Sequence, residues 1–289
     1  MAQTSTTGSL ENASREMISS LRYTAEHNAP VYGAVTKYTL AKGEDTGIFP
    51  KVGQMSMSSL SEGQDIVDEE DIGMTTVSVT PGEVGAKVIL TDKLLRQNAA
   101  TSFQTIGRQL GDAMKRKRET DLIDLFSSLN GGTSHGAAGA AFSAAFATAI
   151  VSVAKADNYG DNLSIFQHPN AVMRLAKDLA VIGSGTLAAI PEGYSAQLMG
   201  KAFKGYQIWD VPVFETGNIT RDSGDDAIGA ILNDDALGVL QSKAPGIERE
   251  RDASLRAWEV VMVSDYAAFE LDDTRGAPLT YDAADPSTS

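Results

Sequence analysis

Residues 101–132 read TSFQTIGRQLGDAMKRKRETDLIDLFSSLNGG. Phe103, Ile106, Leu110 and Met114 recur at helical spacing, and Leu122, Leu125, Phe126 and Leu129 continue the stripe after a rotation. Thr101 and Gln104 fit a capping box, in which the threonine oxygen accepts an early backbone N–H and the glutamine reaches back. Asn130-Gly131-Gly132 stops the run, because Asn and Gly tolerate left-handed backbone. The spacing predicts a helix of about 28 residues, roughly 42 Å long. That exceeds the usual length and reads as a spine. Lys115, Arg116, Lys117 and Arg118 lie in its middle as the one dense positive patch. A solvated helix face is the ordinary reading, with a nucleic-acid contact or an intersubunit contact as the alternatives.

Upstream, the chain has little to bury. Ser9 to His27 can form an amphipathic helix with Leu10, Met17, Ile18 and Leu21 near one face, and Val31 to Leu40 alternates like a short strand. A few apolar side chains at ~25 cal/mol per Å² do not offset the ordering of a segment this long. These residues read as an arm held by something else. Ala41 to Thr80 is Gly-rich and carries the acidic run Glu62, Asp65, Asp68, Glu69, Glu70 and Asp71. The strand-like run Thr75 to Thr80 and the later Val84, Ala86, Val88 and Leu90 predict an extended β-hairpin that projects from the body. A disordered acidic linker is the alternative.

Downstream, short helices and strands alternate. Phe142, Phe146, Ile150 and Val153 predict a helix half-buried on that stripe, followed by a strand at Leu163 to Phe166 and a helix at Ala171 to Leu179. A helix around Ser195 to Ala202 leads to Tyr206, Ile208 and Val211. Strands follow at Ala227 to Leu232, Leu237 to Leu240 and Ala257 to Leu271, and Asp282 to Ser289 is a polar tail. Gly136 to Ala154 carries no charge over 19 residues, but Ala, Gly, Ser and Thr dominate it, which fits a soluble helix better than a membrane span.

Composition removes several function classes. The chain has 289 residues, no cysteine, 24 basic against 38 acidic residues and a net charge of −14. Tight nucleic-acid binding needs a basic surface, and disulfides, thiolate zinc sites and cysteine nucleophiles need cysteine. The start lacks the basic-then-apolar order of a signal peptide. Gly183-Ser184-Gly185-Thr186-Leu187-Ala188 matches a dinucleotide fingerprint, but the residues before it finish a helical pattern and Pro191 interrupts the would-be helix. Gly200-Lys201 lacks the rest of a phosphate loop. His27, His135 and His168 share no ligand spacing, and Asp225-Asp226 and Asp234-Asp235 read as acidic turns. No catalytic residue, cofactor or metal ligand is expected.

The order of these parts resembles the major capsid proteins of tailed double-stranded-DNA bacteriophages, with the Hong Kong 97-type capsid fold. The resemblance is carried by Leu60-Ser61-Glu62-Gly63, the strand Val84 to Thr91 running into Asp92, and the long helix with Asp121-Leu122-Ile123. It continues through Phe166-Gln167-His168-Pro169, Gly205-Tyr206-Gln207-Ile208-Trp209-Asp210-Val211-Pro212-Val213, and the closing strand with Asp272-Asp273. It covers nearly the whole chain. The fold it implies is α+β, with an N-terminal arm (1–42), an extended loop (43–81), a peripheral domain with the spine helix (82–136), an axial domain (137–236), and a return to the peripheral domain with the C-terminal tail (237–289). It implies a non-enzymatic subunit that assembles with itself into hexamers and pentamers of an icosahedral shell. The expected partners are a scaffolding protein, a portal and a decoration protein, with packaged DNA enclosed without specific binding and no membrane. The expected place is the virion capsid, assembled in the host bacterial cytoplasm. An encapsulin-type nanocompartment shell protein is the alternative. Within this frame, Glu62, Asp65, Asp68, Glu69, Glu70 and Asp71 are expected to dock on Lys115, Arg116, Lys117 and Arg118 of a neighbouring subunit.

Overall fold

The computed structural model describes residues 28–52, 59, 62, 73–98, 101–182 and 206–286. In chain order these form α1 (Pro30–Ala34), β1 (Thr36–Thr39), β2 (Gly47–Lys51), β3 (Thr75–Val79), β4 (Gly82–Thr91), α2 (Asp92–Asn98) and α3 (Thr101–Asp124). After a 3-10 segment, Leu125–Gly132, come β5 (His135–Gly136), α4 (Ala144–Ala156), β6 (Leu163–Gln167) and α5 (Pro169–Ile182). The chain closes with β7 (Tyr206–Ile208), β8 (Val211–Glu215), β9 (Asp226–Asn233), β10 (Leu237–Asp252), β11 (Ala257–Glu270) and β12 (Gly276–Asp282). This is an α+β architecture with two sheets and a separate two-stranded ribbon.

The spine is present but ends differently. α3 is 24 residues long, and its last turn tightens into the 3-10 segment instead of continuing as α-helix. Asn130 (φ 54), Gly131 (φ 59) and Gly132 (φ 77) take the left-handed backbone expected of the stop. The side chains of Thr101, Phe103 and Gln104, and so the capping box, lie outside the described residues. Leu110, Met114, Leu122, Phe126 and Leu129 are buried. They form one core with Leu90 of β4, Val239 of β10, and Val260, Met262 and Tyr266 of β11. Those strands belong to the four-stranded sheet β1-β10-β11-β4.

A second core lies between α4, α5 and one face of the six-stranded sheet β5-β12-β9-β6-β8-β7. Ile165, Val213, Ile231, Leu279 and Tyr281 point into it. Phe166, Ala230 and Leu232, on the opposite parity, join the spine core, where the Phe126 and Phe166 rings lie 6.3 Å apart. The end of the spine thus ties the two sheets together.

Several expectations need correction. Val31 to Leu40 is not one strand: Pro30 opens a short helix, and only Thr36–Thr39 is extended, parallel to β10. Val31 and Val35 are buried in the spine core, so the chain is packed against its own subunit from Pro30 onward. Ser9 to His27 lies outside the described residues. β3 does not pair with β4; it pairs antiparallel with β2, while β4 forms the edge of the four-stranded sheet against β11. On α4 the stripe is rotated: Ala147, Ile150, Val151 and Ala154 are buried, while Phe146 and Val153 are exposed. Small alanines let the helix approach the sheet closely, which moves the larger Phe146 to the rim.

Two elements were unanticipated. β10 runs on through Glu248-Arg249-Glu250-Arg251, whose alternating charges carry no apolar signal; pairing with the apolar β11 extends it. β12 contains Gly276 and Pro278, residue types that are poor strand formers, yet it pairs with β9 and β5 and buries Leu279 and Tyr281.

Candidate subunit interface

The basic run of α3 is divided by the helix itself. Positions 110, 114, 118 and 122 are successive i, i+4 neighbours, so Arg118 falls on the buried stripe between Met114 and Leu122. Its Nη2 donates to Ser264 Oγ at 2.8 Å and Gln241 Oε1 at 3.2 Å, and Nη1 donates to Tyr32 Oη at 3.1 Å. The guanidinium lies 4.9 Å from the Tyr266 ring centre and 5.5 Å from that of Tyr32, within cation–π range. Arg118 is therefore removed from the expected intersubunit patch: it is a core cation of its own subunit. Lys115, Arg116 and Lys117 remain exposed. Lys115 pairs with Asp112 at 3.4 Å and Lys117 with Asp121 at 2.5 Å, so part of their charge is already balanced. Asp121 also accepts the Tyr266 phenol at 2.7 Å; burial first, and that carboxylate second, raise the Tyr266 pKa.

Glu119, the next residue, is fully buried. Its two oxygens accept the backbone N–H groups of Val31 (3.1 Å) and Tyr32 (2.9 Å), the first turn of α1. Ala29 supplies no side-chain cap there, so the spine caps α1 from outside. Burial raises the Glu119 pKa, and the two N–H donors oppose that rise. Sequence reasoning missed this pair; the signal was a charged residue at a stripe position, taken as a rotation of the stripe.

The β2–β3 ribbon sits on the body through Phe49, whose ring is 4.7 Å from both Tyr38 and Phe269. At its outer end Lys51 Nζ meets Asp272 Oδ1 at 2.5 Å, Arg275 Nε meets Asp272 Oδ2 at 3.2 Å, and Arg275 Nη1 meets Asp235 Oδ2 at 3.3 Å. Burial pulls the Asp272 pKa upward, but Lys51 and the hydroxyl and amide of Thr274 outweigh it, so the net direction is down. Lys51, Asp235, Asp272 and Arg275, with Tyr38 and Phe49, line a cleft of about 470 Å³. The ribbon's other side exposes Ile48, Val52 and Met74. Of the acidic run carried beyond it, Glu62 is exposed in a turn, and Asp65, Asp68, Glu69, Glu70 and Asp71 lie outside the described residues.

The remaining motifs are dispersed. Gly183–Ala188, the 195–202 segment and His27 lie outside the described residues. His135 is on β5, and His168 Nδ1 accepts the Asn170 N–H at 3.2 Å as α5 begins. Asp226 Oδ1 accepts the Gly139 N–H at 2.7 Å, and Asp235 Oδ1 accepts the Thr36 hydroxyl at 3.2 Å; both tie distant segments of the chain together. Among the described residues no cluster of His, Asp and Glu could hold a metal ion, and no helix is long and apolar enough to cross a membrane.

A family model described as phage capsid protein matches residues 74–278. No curated protein matches in sequence. The chain is similar in structure to Mycobacterium phage Che8 (TM-score 0.66, 12% identity, 92% of this chain and 96% of that one). It is likewise similar to the capsid of a native GTA particle (TM-score 0.69, 13% identity, 92% and 94%). The holo-SrpI encapsulin of Synechococcus elongatus is a third (TM-score 0.65, 11% identity, 96% and 98%).

Proposed function

Because the chain belongs to the phage capsid protein family, we propose that its copies close as hexamers and pentamers into an icosahedral shell around packaged DNA. Its fold is the Hong Kong 97-type capsid fold, and the chain is a shell-forming structural protein of the virion. Assembly in the host cytoplasm, guided by a scaffolding protein and completed by a portal and a decoration protein, extends that reading. A division into N-terminal arm, extended loop, peripheral and axial domains also belongs to the proposal. The negative surface suits it, since an acidic wall lets enclosed DNA move without adhering.

The observation that carries the reading furthest toward assembly is the ribbon. A two-stranded ribbon is marginal alone, yet β2–β3 leaves the four-stranded sheet with Ile48, Val52 and Met74 uncovered and the acidic run beyond it. We place that run, Glu62 with Asp65, Asp68, Glu69, Glu70 and Asp71, against Lys115, Arg116 and Lys117 of a neighbour. Exposed pairs of this kind fix register and speed encounter more than they add affinity. Negative-stain imaging of the expressed chain tests the shell. Closed particles are expected from the chain alone or co-expressed with a scaffolding protein, and only small soluble species under both conditions would defeat the reading. The triple variant Lys115→Glu, Arg116→Glu, Lys117→Glu tests the docking: particle yield at low salt should fall several-fold, and an unchanged yield removes it.

An encapsulin-type shell is the second reading, supported by the encapsulin structure that spans nearly all of this chain. Particles that close with no scaffold and no nucleic acid favour it; dependence on a scaffold favours the phage shell.

A further inference from the structure

The outer half of β10 is an open edge. β1 pairs with β10 only from Gly238 to Gln241, and beyond that point no strand among the described residues lies on the same side. After register shifts between Gln241 and Gly246, the strand runs in unbroken antiparallel register with β11 from Gly246 to Asp252. Ile247 to Arg251 are all exposed. This stretch has neither proline nor bulge, two of the devices that blunt natural sheet edges. A regular, uncovered edge is where an incoming strand adds to a sheet.

The two faces of this edge differ in charge. Directly opposed residues of an antiparallel pair share a face. Ile247 and Arg249 stand opposite Met262 and Val260, both buried in the spine core. They lie on the spine side with Arg251, which pairs with Asp92 of α2 at 3.0 Å. Glu248 and Glu250 lie on the outer side, opposite Val261 and Glu259. Glu250 therefore faces a second carboxylate across the ladder, an unfavourable cross-strand pair. Lys87 bridges to Glu259, and Glu248 reaches Lys243 at 3.6 Å, but among the described residues Glu250 has no cation.

Charge decides which strand fits. A two-fold copy pairing antiparallel along this edge joins residues of like parity, so Glu248 and Glu250 would meet the same acids of the other copy. No other part of the chain, or of a second copy, supplies the complement either. Lysine or arginine recurs at alternate positions only at Lys115–Arg118, which is helix, and at Arg249 and Arg251 of the edge itself. We propose that the outer half of β10 takes an added strand from a different protein, an extended segment with lysine or arginine at every second position. Its basic side chains lie over Glu248 and Glu250. Backbone pairing supplies the affinity, and the alternating charge sets the register and the choice of partner. The site belongs to the single subunit and goes beyond the shell-forming reading.

A synthetic peptide that alternates lysine and threonine is the probe, and an isomer of the same composition with its lysines in one block is the control. Titration calorimetry on the purified full-length subunit should show the alternating peptide binding at least ten-fold more tightly. Amide exchange should slow several-fold at Gly246–Asp252 with the alternating peptide alone. Glu250→Lys should weaken that binding at least ten-fold, while thermal unfolding stays unchanged or rises because the clash with Glu259 is relieved. Equal binding of the two peptides, or none, overturns the proposal, since equal binding is only general attraction to a chain of charge −14. Protection that appears elsewhere overturns it too, as does an affinity that survives Glu248→Lys and Glu250→Lys together. If assembled particles protect the edge without peptide and lose that protection on dissociation, a neighbouring copy occupies it and the foreign strand is ruled out. The titration needs no particles, so this result and the shell reading are decided separately.

Discussion

The root of the N-terminal segment, Pro30 to Leu40, and the β2–β3 ribbon look alike as sequence, since both are short, extended-reading stretches with too few apolar residues to stand alone. In the structure they differ in kind. The root is built in: Val31 and Val35 are buried, Glu119 caps α1, Arg118 is gripped between Tyr32 and Tyr266, and β1 is a strand of the main sheet. The ribbon pairs only with itself and rests on the Tyr38–Phe49–Phe269 ring cluster and the Lys51–Asp272 bridge. Whether a weak segment depends on a neighbour is decided by whether its own chain supplies buried polar partners. The root should behave as part of the subunit, and the ribbon as a loosely seated arm.

The largest test of that contrast is Glu119→Ala. It strands two buried N–H groups, so the subunit should lose about 3 kcal/mol in denaturant unfolding. Glu119→Gln keeps an acceptor and should lose less. A loss under about 1 kcal/mol would mean that the root is as loosely held as the ribbon. Arg118→Met comes next, with about 2 kcal/mol expected from lost charge-assisted hydrogen bonds and ring stacking. The same variant should leave particle assembly intact once folding is restored by lower temperature, because Arg118 faces inward.

Glu119 also gives a pH signature. Its folded-state pKa is raised, so between the ordinary carboxyl value and that raised value the folded subunit holds the proton more tightly than the unfolded chain. Stability contributed by this group therefore falls as pH rises through that window. Glu119→Gln should flatten this slope, measured as denaturation midpoint against pH; an unchanged profile assigns the slope to other groups.

Much of this was legible from sequence, and the failures share a cause. The spine, its Asn-Gly-Gly stop and β11 follow from their own periodicity, which no distant residue needs to complete. β12 and the outer half of β10 are strands only because β9 and β11 pair with them; their Pro, Gly and alternating charges say otherwise locally. Arg118 was taken as surface because charge ordinarily means surface, and Glu119 was not singled out at all. Yet position 118 continues the stripe of Ile106, Leu110 and Met114, and a long helix that keeps a charge on its buried stripe has a polar partner waiting. For α4 the apolar count was right and the phase wrong, since alanine is weak in a pattern yet preferred where a helix lies close to a sheet.

The smallest expected effect is at the ribbon's seat. The Asp272 pKa is lowered, so the stability it contributes is present above the ordinary carboxyl value and is lost as pH falls through its own folded value. Lys51 is partly exposed, which limits what the bridge contributes. Lys51→Ala should therefore cost the subunit at most about 1 kcal/mol globally. Its clearer consequence is local: amide exchange at Thr75–Val79 should quicken several-fold, while β1 and α1 stay protected. Equal quickening of root and ribbon would show that the two open as one unit. In that case the ribbon would be anchored through β10 and Leu240, which touches both segments, and the distinction between built-in root and seated arm would fail at that shared residue.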